Sequence, residues 1–334
     1  MYRPGRKAFA VGLVVASLGF HLVVVALYSR LPDRFAAFTL FPIWGWGSIG
    51  LLLASLAFLC RAPLSFFAVA AWSVTILVLA DEARPLGRIG REPPNPGVPV
   101  RFEGRNVLRV ATINWSGSPE DFSESIVLYQ PDVIFIQEIP HPYRLRLLNQ
   151  TLYGGKGDYR YDSIRRCGIV VRGEIERQIK NPLEGFRSQH VTMRLPNGRK
   201  VELVNLHLQA ASTDLALWRR ECWHTHAVNR QLRRRELAVA LTLLETSTPT
   251  RGPTILAGDF NAPATDSIYR VVRRDFIDSF AVAGVGWGNT YHRRFPILRL
   301  DHIFVSEEFL PVRSCVVSIP ESDHRMVVSD LILQ

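Results

Sequence analysis

Cysteine pairs at the spacing of a metal site are absent from this sequence. The 334 residues include four cysteines, and none of them stands in a CxxC or similar zinc-binding spacing. They are Cys60, Cys167, Cys222 and Cys315. Their isolation excludes a cysteine-based zinc site and favours single thiols, buried or at the surface. Cysteine usage therefore does not identify the cellular compartment.

A strong basic excess is absent from most of the chain, although the formal net charge is +10. Residues 1–94 hold nine Lys or Arg and four Asp or Glu, so half of the excess lies in the N-terminal part. The remaining residues are only mildly basic. Net charge alone therefore does not indicate a nucleic-acid-binding protein, which usually carries a concentrated basic patch.

Charged residues are missing from three long apolar runs near the N-terminus, at 8–28, 36–60 and 64–80. A helix needs about 20 apolar residues to cross a hydrocarbon core of about 30 Å. We predict three transmembrane helices, the last two as a tight hairpin, although Pro42 obscures the start of the second. A cleaved signal peptide fits less well, because the first run is too long and no cleavage signature follows it.

The basic residues that flank these runs bear on orientation. Those before the first run favour a cytoplasmic N-terminus, because cytoplasmic flanks are enriched in Lys and Arg. Those after the third run favour the opposite orientation, in which the segment that follows this run is cytoplasmic. The two sets are Arg3, Arg6 and Lys7, and Arg84, Arg88 and Arg91. We favour the first arrangement and expect a multi-pass cell-membrane protein whose large C-terminal domain lies on the extracytoplasmic side.

The segment 81–104 is rich in Pro, Gly and Arg, and it predicts a semi-extended linker without helix or sheet. From residue 105 to residue 334, short β-rich runs alternate with helical stretches, which predicts one catalytic domain. The predicted strands are Val107–Ile113, Asp132–Ile136, Ile169–Val171, Val191–Met193, Lys200–Leu206, Thr254–Ala257, Leu300–Val305 and Met326–Leu333. The predicted helices are Glu120–Tyr129 and Ala227–Thr246.

Polar side chains follow several of these strands, where loops at strand ends build sites. Gly258-Asp259-Phe260-Asn261 is the most specific of these motifs, because the glycine permits a sharp turn with two polar side chains on one side. Ser322-Asp323-His324 lies near the C-terminus. Hydrolysis of a phosphate ester needs a bound cation, an activated water and hydrogen-bond donors, which such residues supply.

Single motifs outside this pair have simpler interpretations. Asn114 could be a turn residue, and His207 could be a core histidine with its hydrogen bonds satisfied. Glu138 is a stronger candidate, because a carboxylate behind a buried strand is costly unless it is paired or binds a metal. Asp301, at the start of a predicted strand, is of moderate strength. The whole set in this order makes coincidence a poor explanation.

The pattern of Gly-Asp-Phe-Asn followed by Ser-Asp-His resembles the endonuclease/exonuclease/phosphatase superfamily. The resemblance covers about residues 105–334 and includes the weaker motif Gly288-Asn289-Thr290-Tyr291. It implies a four-layer α/β sandwich, in which two packed mixed β-sheets are flanked by helices. In this chain the three-helix transmembrane anchor would precede that sandwich.

The resemblance also implies roles for individual residues. Glu138 would be the principal ligand of Mg²⁺ or Mn²⁺, since carboxylate and amide oxygens suit these ions better than zinc. Asp259 would orient or deprotonate the attacking water. Asp301 would orient His324, the phosphate-binding acid/base, as a carboxylate fixes an imidazole tautomer. The remaining expected contacts are Asn114 and Asp323 to the metal, and Asn114, His207 and Asn261 to the phosphate.

Two basic segments are open to more than one interpretation. Nucleases often carry an acid just before the strand that contains Ile169, and here Arg165 and Arg166 occupy that place. They are either a solvated pair or positive charge for an anionic head group. The Trp- and Arg-rich stretch 218–235 is either a solvated helix face or a contact to an anionic lipid surface.

We therefore expect a membrane-anchored, metal-dependent phosphoesterase acting on a phosphate ester in or near the bilayer, such as a lipid or polyprenyl phosphate. Its layout is similar to that of glycopeptide-resistance membrane proteins. The alternatives are a membrane-tethered nuclease acting on DNA, which we do not favour, and a non-catalytic binding module with the same fold. No obligate protein partner is evident from the sequence.

Overall fold

The computed structural model describes residues 4–97, 101–119, 121, 123–179, 188–247 and 252–334, in two compact units. One unit consists of Met1–Ala83 with Ser212–Val228, and the other of Arg84–Ala211 with Asn229–Gln334. The predicted helix start at Glu120 and the flanking Arg3 lie outside the described residues. The two units are taken in turn.

The first unit is built from apolar helices. They are α1 (Pro4–Arg30), a 3₁₀ turn (Asp33–Phe35), α2 (Ala36–Thr39), α3 (Ile43–Leu59) and α4 (Ser65–Leu79). Lys7–Arg30 is long and apolar enough to cross a membrane, which agrees with the first predicted span. Asp33–Thr39 and Ile43–Leu59 qualify only if together they form one span bent by 71°, and Ser65–Leu79 is shorter.

The second predicted span, 36–60, is therefore not one straight helix. The chain breaks between Thr39 and Ile43, at Pro42, which has no backbone N–H to donate within a helix. By length and composition the described residues contain one spanning helix, or two if the bent pair counts as one. The prediction of three spans is supported in its first helix alone.

Buried polar contacts join the three long helices α1, α3 and α4. The Ser17 hydroxyl donates to the carbonyl of Gly50 at 2.9 Å and accepts from the Trp72 indole N–H at 3.0 Å. Gly50 must lack a side chain, because a Cβ there would lie 2.0 Å from the Trp72 ring. His21 Nε2 and Thr75 Oγ1 are 2.8 Å apart. These contacts fix the packing of the helices against one another.

The described residues of the second unit contain twelve strands and several helices, of which α5 and α8 begin in the first unit. The strands are β1 (Leu108–Asn114), β2 (Val133–Gln137), β3 (Asp158–Asp162), β4 (Cys167–Val171), β5 (Glu174–Ile179), β6 (Ser188–Arg194), β7 (Lys200–His207), β8 (Thr254–Asp259), β9 (Ile277–Asp278), β10 (Asp301–Val305), β11 (Phe309–Ser318) and β12 (Arg325–Leu333). The helices are α5 (Ala83–Leu86), α6 (Ser123–Val127), α7 (Tyr143–Tyr153), α8 (Arg220–Ser247), α9 (Tyr269–Val272) and α10 (Ser279–Ala283).

The strands form two six-stranded mixed sheets. The first sheet has the order β11-β12-β1-β2-β4-β3, and the second has the order β5-β6-β7-β8-β10-β9. β1 and β2 are parallel, as are β7 and β8, and the remaining pairs are antiparallel. Asn114 pairs with Gln137, and His207 pairs with Asp259, so each parallel pair ends at one level.

Three hydrophobic clusters define four layers. The central cluster joins side chains of both sheets, including Val110, Phe135, Leu203 and Ile303. A second cluster packs α7 on the outer face of the first sheet, and a third packs α8 on the outer face of the second. The predicted four-layer α/β sandwich of two mixed sheets flanked by helices is confirmed.

Local elements differ from the prediction mainly at the sheet edges. The strands β3, β5, β9 and β11 were not predicted, and each lies at an edge of its sheet. β3 and β5 carry charged residues and are only partly buried, so they have no apolar run to reveal them. The predicted linker 81–104 contains a short helix, α5, and is not free of secondary structure.

Candidate functional site

The sequence-predicted residues meet at one edge of the sandwich. β1, β2, β7 and β8 all end there, and the antiparallel neighbours β10 and β12 begin there. The structure thereby brings six of the eight candidates into a continuous chain of contacts. These six are Asn114, Glu138, His207, Asp259, Asp301 and His324.

Glu138 follows β2 directly and has a positive φ of 52°, which is uncommon for a residue with a side chain. This conformation points its carboxylate across to the second sheet, where His207 Nε2 lies 3.3 Å from Glu138 Oε1. Asn114 Nδ2 donates to the same oxygen at 3.2 Å. The hydrogen bond from His207 is the main reason that the pKa of Glu138 falls to about 2. Glu138 is therefore a carboxylate at neutral pH.

Asp259 lies at the end of β8 and is almost fully buried. Asn114 Nδ2 donates to Asp259 Oδ2 at 3.0 Å, and the backbone N–H of Asn261 donates to Oδ1 at 2.8 Å. The residue before it, Gly258, has φ 139°, and a Cβ there would lie 2.0 Å from a backbone oxygen. Only glycine fits this approach. Burial raises the pKa of the Asp259 carboxyl.

His324 and Asp301 form a buried pair across the two sheets. His324 Nδ1 is 2.8 Å from Asp301 Oδ2, and His324 Nε2 is 3.9 Å from Asp259 Oδ2. Burial alone would lower the pKa of this imidazole. The carboxylates of Asp301 and Asp259 outweigh burial and raise the pKa of His324 to about 10. The ring of Tyr291 packs on His324 with centroids 5.0 Å apart.

Asn261 and Asp323 lie beside this chain of contacts. Asn261 has φ 50°, and its amide Nδ2 donates to the carbonyl of Leu208 at 2.9 Å. One N–H of that amide is therefore engaged in the fold, and the other is the one that a ligand oxygen could take. Asp323 is partly exposed and accepts a hydrogen bond from the hydroxyl of Ser116.

Sequence analysis missed three hydroxyl side chains that hold the loops of the site. Ser322 Oγ donates to the carbonyl of Asn114 at 2.7 Å and accepts from the backbone N–H of His324 at 3.0 Å. Ser116 Oγ lies 3.0 Å from Ser322 Oγ. Thr290 Oγ1 accepts from the backbone N–H of Asp301 at 3.2 Å. Ser322 and Thr290 stand inside quoted motifs, so their position next to predicted site residues was the available signal.

A buried amide pair beneath the site was also missed. Asn205, in β7, donates through Nδ2 to the carbonyls of Ile136 and Gly168, each at 3.0 Å. Its Oδ1 accepts from Gln137 Nε2 at 2.7 Å. Asn205 therefore ties the second sheet to β2 and β4 of the first. Glu138 directly follows Gln137, and His207 lies two residues after Asn205. These bonds therefore hold both site residues in register.

The residues present fit a divalent cation. Four acidic side chains, those of Glu138, Asp259, Asp301 and Asp323, lie at the same edge of the sandwich as His207 and His324, and the pKa of Glu138 is lowered to about 2. Asp301 Oδ1 is buried and has no hydrogen-bond partner among the described residues. Atoms of Asp259, Asp301 and His324 lie within 4.8 Å of one another, and of these the two carboxylates are the ones that could bind a cation while the imidazole is protonated. Oxygen donors of this kind suit a hard cation such as Mg²⁺ or Mn²⁺.

The arginines of the two basic segments differ in burial and in their partners. Arg165 Nη1 lies 2.7 Å from Asp162 Oδ2, so this residue is ion-paired. Arg166 is exposed, and its Nη2 lies 3.5 Å from the backbone carbonyl of Glu138. In the stretch 218–235, Arg230 is buried against Asp266 at 3.0 Å and Arg233 at 3.9 Å. These last two are neither solvated nor available to a lipid surface.

The sequence matches a known protein family, and the sandwich is similar to solved structures. Residues 106–324 match the family model of the Endonuclease/Exonuclease/phosphatase family, which covers the whole chain of contacts described above. The sandwich is similar to an endonuclease/exonuclease/phosphatase family protein from Bacteroides thetaiotaomicron, with a TM-score of 0.55 and 18% identity. That match covers 69% of this chain and 96% of the other.

Two further solved structures are similar to the sandwich. A mannosyl-6-phosphatase from Bacteroides thetaiotaomicron VPI-5482 has a TM-score of 0.52 and 17% identity, covering 68% of this chain and 100% of the other. The human nocturnin catalytic domain with a bound sulfate anion has a TM-score of 0.51 and 18% identity, covering 68% and 94%. At these identities the likeness concerns the fold. Comparison with curated protein sequences finds no match.

Proposed function

The chain belongs to the endonuclease/exonuclease/phosphatase family, and from this premise we propose that it is a membrane-anchored phosphoesterase that depends on a divalent cation. One observation carries the proposal. Residues that are far apart in the sequence bring carboxylates, imidazoles and an amide from both sheets to one edge, each within 3.9 Å of the next. A binding module has no need of this complete set.

Glu138, with Asn114 beside it and with Asp323 bonded to Ser116 at the same edge, would hold Mg²⁺ or Mn²⁺. Its carboxylate is ionised at neutral pH and its side chain is 36% exposed, whereas Asp259 and Asp301 are buried and engaged in other contacts. A cation bound there supplies positive charge that offsets the charge on the phosphoryl oxygens. This assignment makes Glu138 the residue on which the metal requirement depends.

Asp259 would position the attacking water and accept its proton. The oxygen of that water forms the new bond to phosphorus while the bond from phosphorus to the ester oxygen breaks. The two hydrogen bonds to Asp259, from Asn114 and from the backbone of Asn261, leave its carboxylate in a fixed orientation for this task. A base must be held within hydrogen-bond reach of the proton it takes.

His324 would donate a hydrogen bond to a phosphoryl oxygen. Asp301 accepts from Nδ1 of the imidazole, which leaves Nε2–H directed to the other side of the ring. The second N–H of the Asn261 amide would bind another phosphoryl oxygen, and His207 would line the phosphate site next to Glu138. Preorganised donors of this kind stabilise charge that develops in the transition state.

The apolar helix Lys7–Arg30 supports a substrate in or near the bilayer. We favour a lipid or polyprenyl phosphate, with the sandwich on the extracytoplasmic side of a multi-pass anchor. A fold shared with a sugar phosphatase and with nocturnin does not itself select the substrate, because function depends on the site and on what brings substrate to it. In this protein the membrane anchor would bring the site to its substrate.

The test is a phosphate-release screen of the purified full-length protein in detergent, across lipid phosphates, soluble phosphodiesters and plasmid DNA. We expect hydrolysis of lipid phosphates with Mg²⁺ and its loss with EDTA. Nicking of plasmid DNA without lipid-phosphate hydrolysis would make the protein a nuclease. Binding of these compounds without turnover under any metal would make it a binding module.

A further inference from the structure

A segment in the middle of the sequence belongs to the helical unit. Residues 212–228, here called the Trp218 segment, follow β7 in the sequence but group with Met1–Ala83. Trp223 in this segment meets Phe35 edge-on, with ring centroids 5.8 Å apart and an interplanar angle of 90°. Phe35 lies between the end of α1 and the start of α3, so the Trp218 segment packs at that end of the helices.

The same end of the helices carries a cluster of aromatic side chains. Phe38 and Trp46 are stacked with centroids 4.2 Å apart, and Phe41 contacts Trp46 as well. Trp44 donates its indole N–H to Glu82, just beyond α4, at 3.0 Å. Tryptophans at the end of apolar helices are typical of the membrane–water interface, where the ring is half buried and the N–H stays hydrated. Trp223 extends this cluster.

Trp218 is displayed outward by an ordered turn. Its side chain is 86% exposed, and Leu215 nearby is 49% exposed. The turn is built on Asp214, which accepts from Arg219 Nη2 at 2.6 Å and from the backbone N–H of Ala216 at 2.9 Å. Trp218 and Leu215 lie in one turn whose rim is polar, and exposed apolar side chains grouped within a polar rim mark protein or membrane contacts.

Charges around the turn favour a phospholipid surface. Arg30 ends α1, Arg34 lies over the ring of Phe35 at 5.2 Å, and Arg220 is exposed at the start of α8. Basic side chains next to an aromatic belt interact with phosphate head groups. A protein partner has no comparable support in the described residues. The aromatic cluster adjoins the end of α1, which is long and apolar enough to cross a membrane.

We propose that the Trp218 segment lies in the head-group layer of the bilayer, with Trp218 and Leu215 inserted at the boundary of the acyl chains. The proposal rests on the membrane anchoring in the proposed function and adds a second, peripheral contact to it. It assigns the Trp-rich half of the stretch 218–235 to lipid, and it leaves Arg230 and Arg233 to the fold.

The experiment measures tryptophan fluorescence of the full-length protein in vesicles whose lipids carry bromine near the head-group end of the acyl chains. Trp218→Phe is compared with wild type and with the matched control Trp287→Phe, which removes a partly exposed tryptophan of the sandwich. We expect Trp218→Phe, but not Trp287→Phe, to lose part of the fluorescence that shallow bromine quenches, while the other tryptophans of the aromatic cluster keep the rest. The lost component should also be the blue-shifted one, because Trp218 would be shielded from water.

Flotation of the same vesicles separates the two proposals. If all three proteins float with the vesicles and Trp218→Phe quenches as wild type does, the Trp218 segment is not in the bilayer and this inference is wrong. The same conclusion follows if aqueous iodide quenches Trp218 in floating vesicles. If the wild-type protein does not float, membrane anchoring fails, and the interfacial contact fails with it.

Discussion

The two sheets contribute to the site in mirrored ways. The first sheet supplies the carboxylate of Glu138, which meets His207 of the second sheet at 3.3 Å. The second sheet supplies the carboxylate of Asp301, which meets His324 of the first sheet at 2.8 Å. Each sheet therefore contributes one acid and one imidazole to these two pairs, and each acid–imidazole pair crosses the interface.

The two pairs differ in burial and in charge. The Glu138 side chain is 36% exposed, and its pKa is lowered to about 2, so the carboxylate is charged and reachable. The Asp301–His324 pair is buried, and the pKa of its imidazole is raised to about 10, so the imidazole stays cationic between the carboxylates of Asp301 and Asp259. The difference is the physical basis for proposing that the exposed pair receives a cation and the buried pair holds the phosphate.

The largest expected effect on activity comes from replacing one of the buried residues, His324 or Asp259. His324→Ala or Asp259→Ala should lower kcat by about 10²–10⁴-fold, the range that a positioned acid or base contributes. Phosphate release under saturating Mg²⁺ measures it. The matched control is Glu307→Ala, which removes an exposed carboxylate beyond β10. Circular dichroism should show the fold intact, and wild-type turnover in both site variants would contradict the assignment.

The exposed pair predicts a smaller effect of a different kind. Glu138→Gln keeps the shape of the side chain but removes its charge. We expect the Mg²⁺ concentration for half-maximal activity to rise roughly 10–100-fold, as when groups that support a metal are removed. Excess Mg²⁺ should restore part of the activity of Glu138→Gln and none of that of Asp259→Ala. Equal metal dependence of Glu138→Gln and wild type would remove Glu138 from the cation site.

The hydrogen bonds of Asn205 that join the two sheets predict an effect on stability. Asn205→Ala removes three hydrogen bonds that cross the interface and leaves buried polar groups unsatisfied. We expect the free energy of unfolding to fall by about 1–3 kcal/mol. Denaturant unfolding in detergent measures it, with Asn106→Ala, an exposed residue before β1, as the control. Unchanged stability of Asn205→Ala would show that the two sheets do not depend on this bridge.

The strands that were predictable from the sequence are those whose apolar runs end in polar residues. Asp259 and Asn261 were predictable because Gly258 and the strand before it are contiguous, so local spacing already sets their direction. Gly258 indeed makes the close approach that a Cβ would prevent. The edge strands β3 and β5 were not predictable, because partly buried strands with charged residues have no distinctive periodicity.

The supporting contacts of the site depend on pairings that the sequence does not contain. Ser322 reaches Asn114, 208 positions away, and Asn205 reaches Ile136, 69 positions away. A serine or an asparagine in isolation has many satisfactory partners, and only the packing of the two sheets selects one. The helical unit shows the same limit, because the break at Pro42 was visible and the grouping of residues 212–228 was not.

The smallest expected effect concerns the rim beside the exposed pair. Arg166 lies next to the backbone of Glu138 and is exposed, whereas its neighbour Arg165 is paired with Asp162. If Arg166 attracts the anionic substrate, Arg166→Ala should raise KM by roughly fivefold or less, because exposed charges contribute little, and leave kcat unchanged. Arg274→Ala, which removes an exposed arginine after α9, is the control. The effect should shrink as salt is added, since screening weakens exposed charges. A fall in kcat would instead place Arg166 among the groups that act on the transition state.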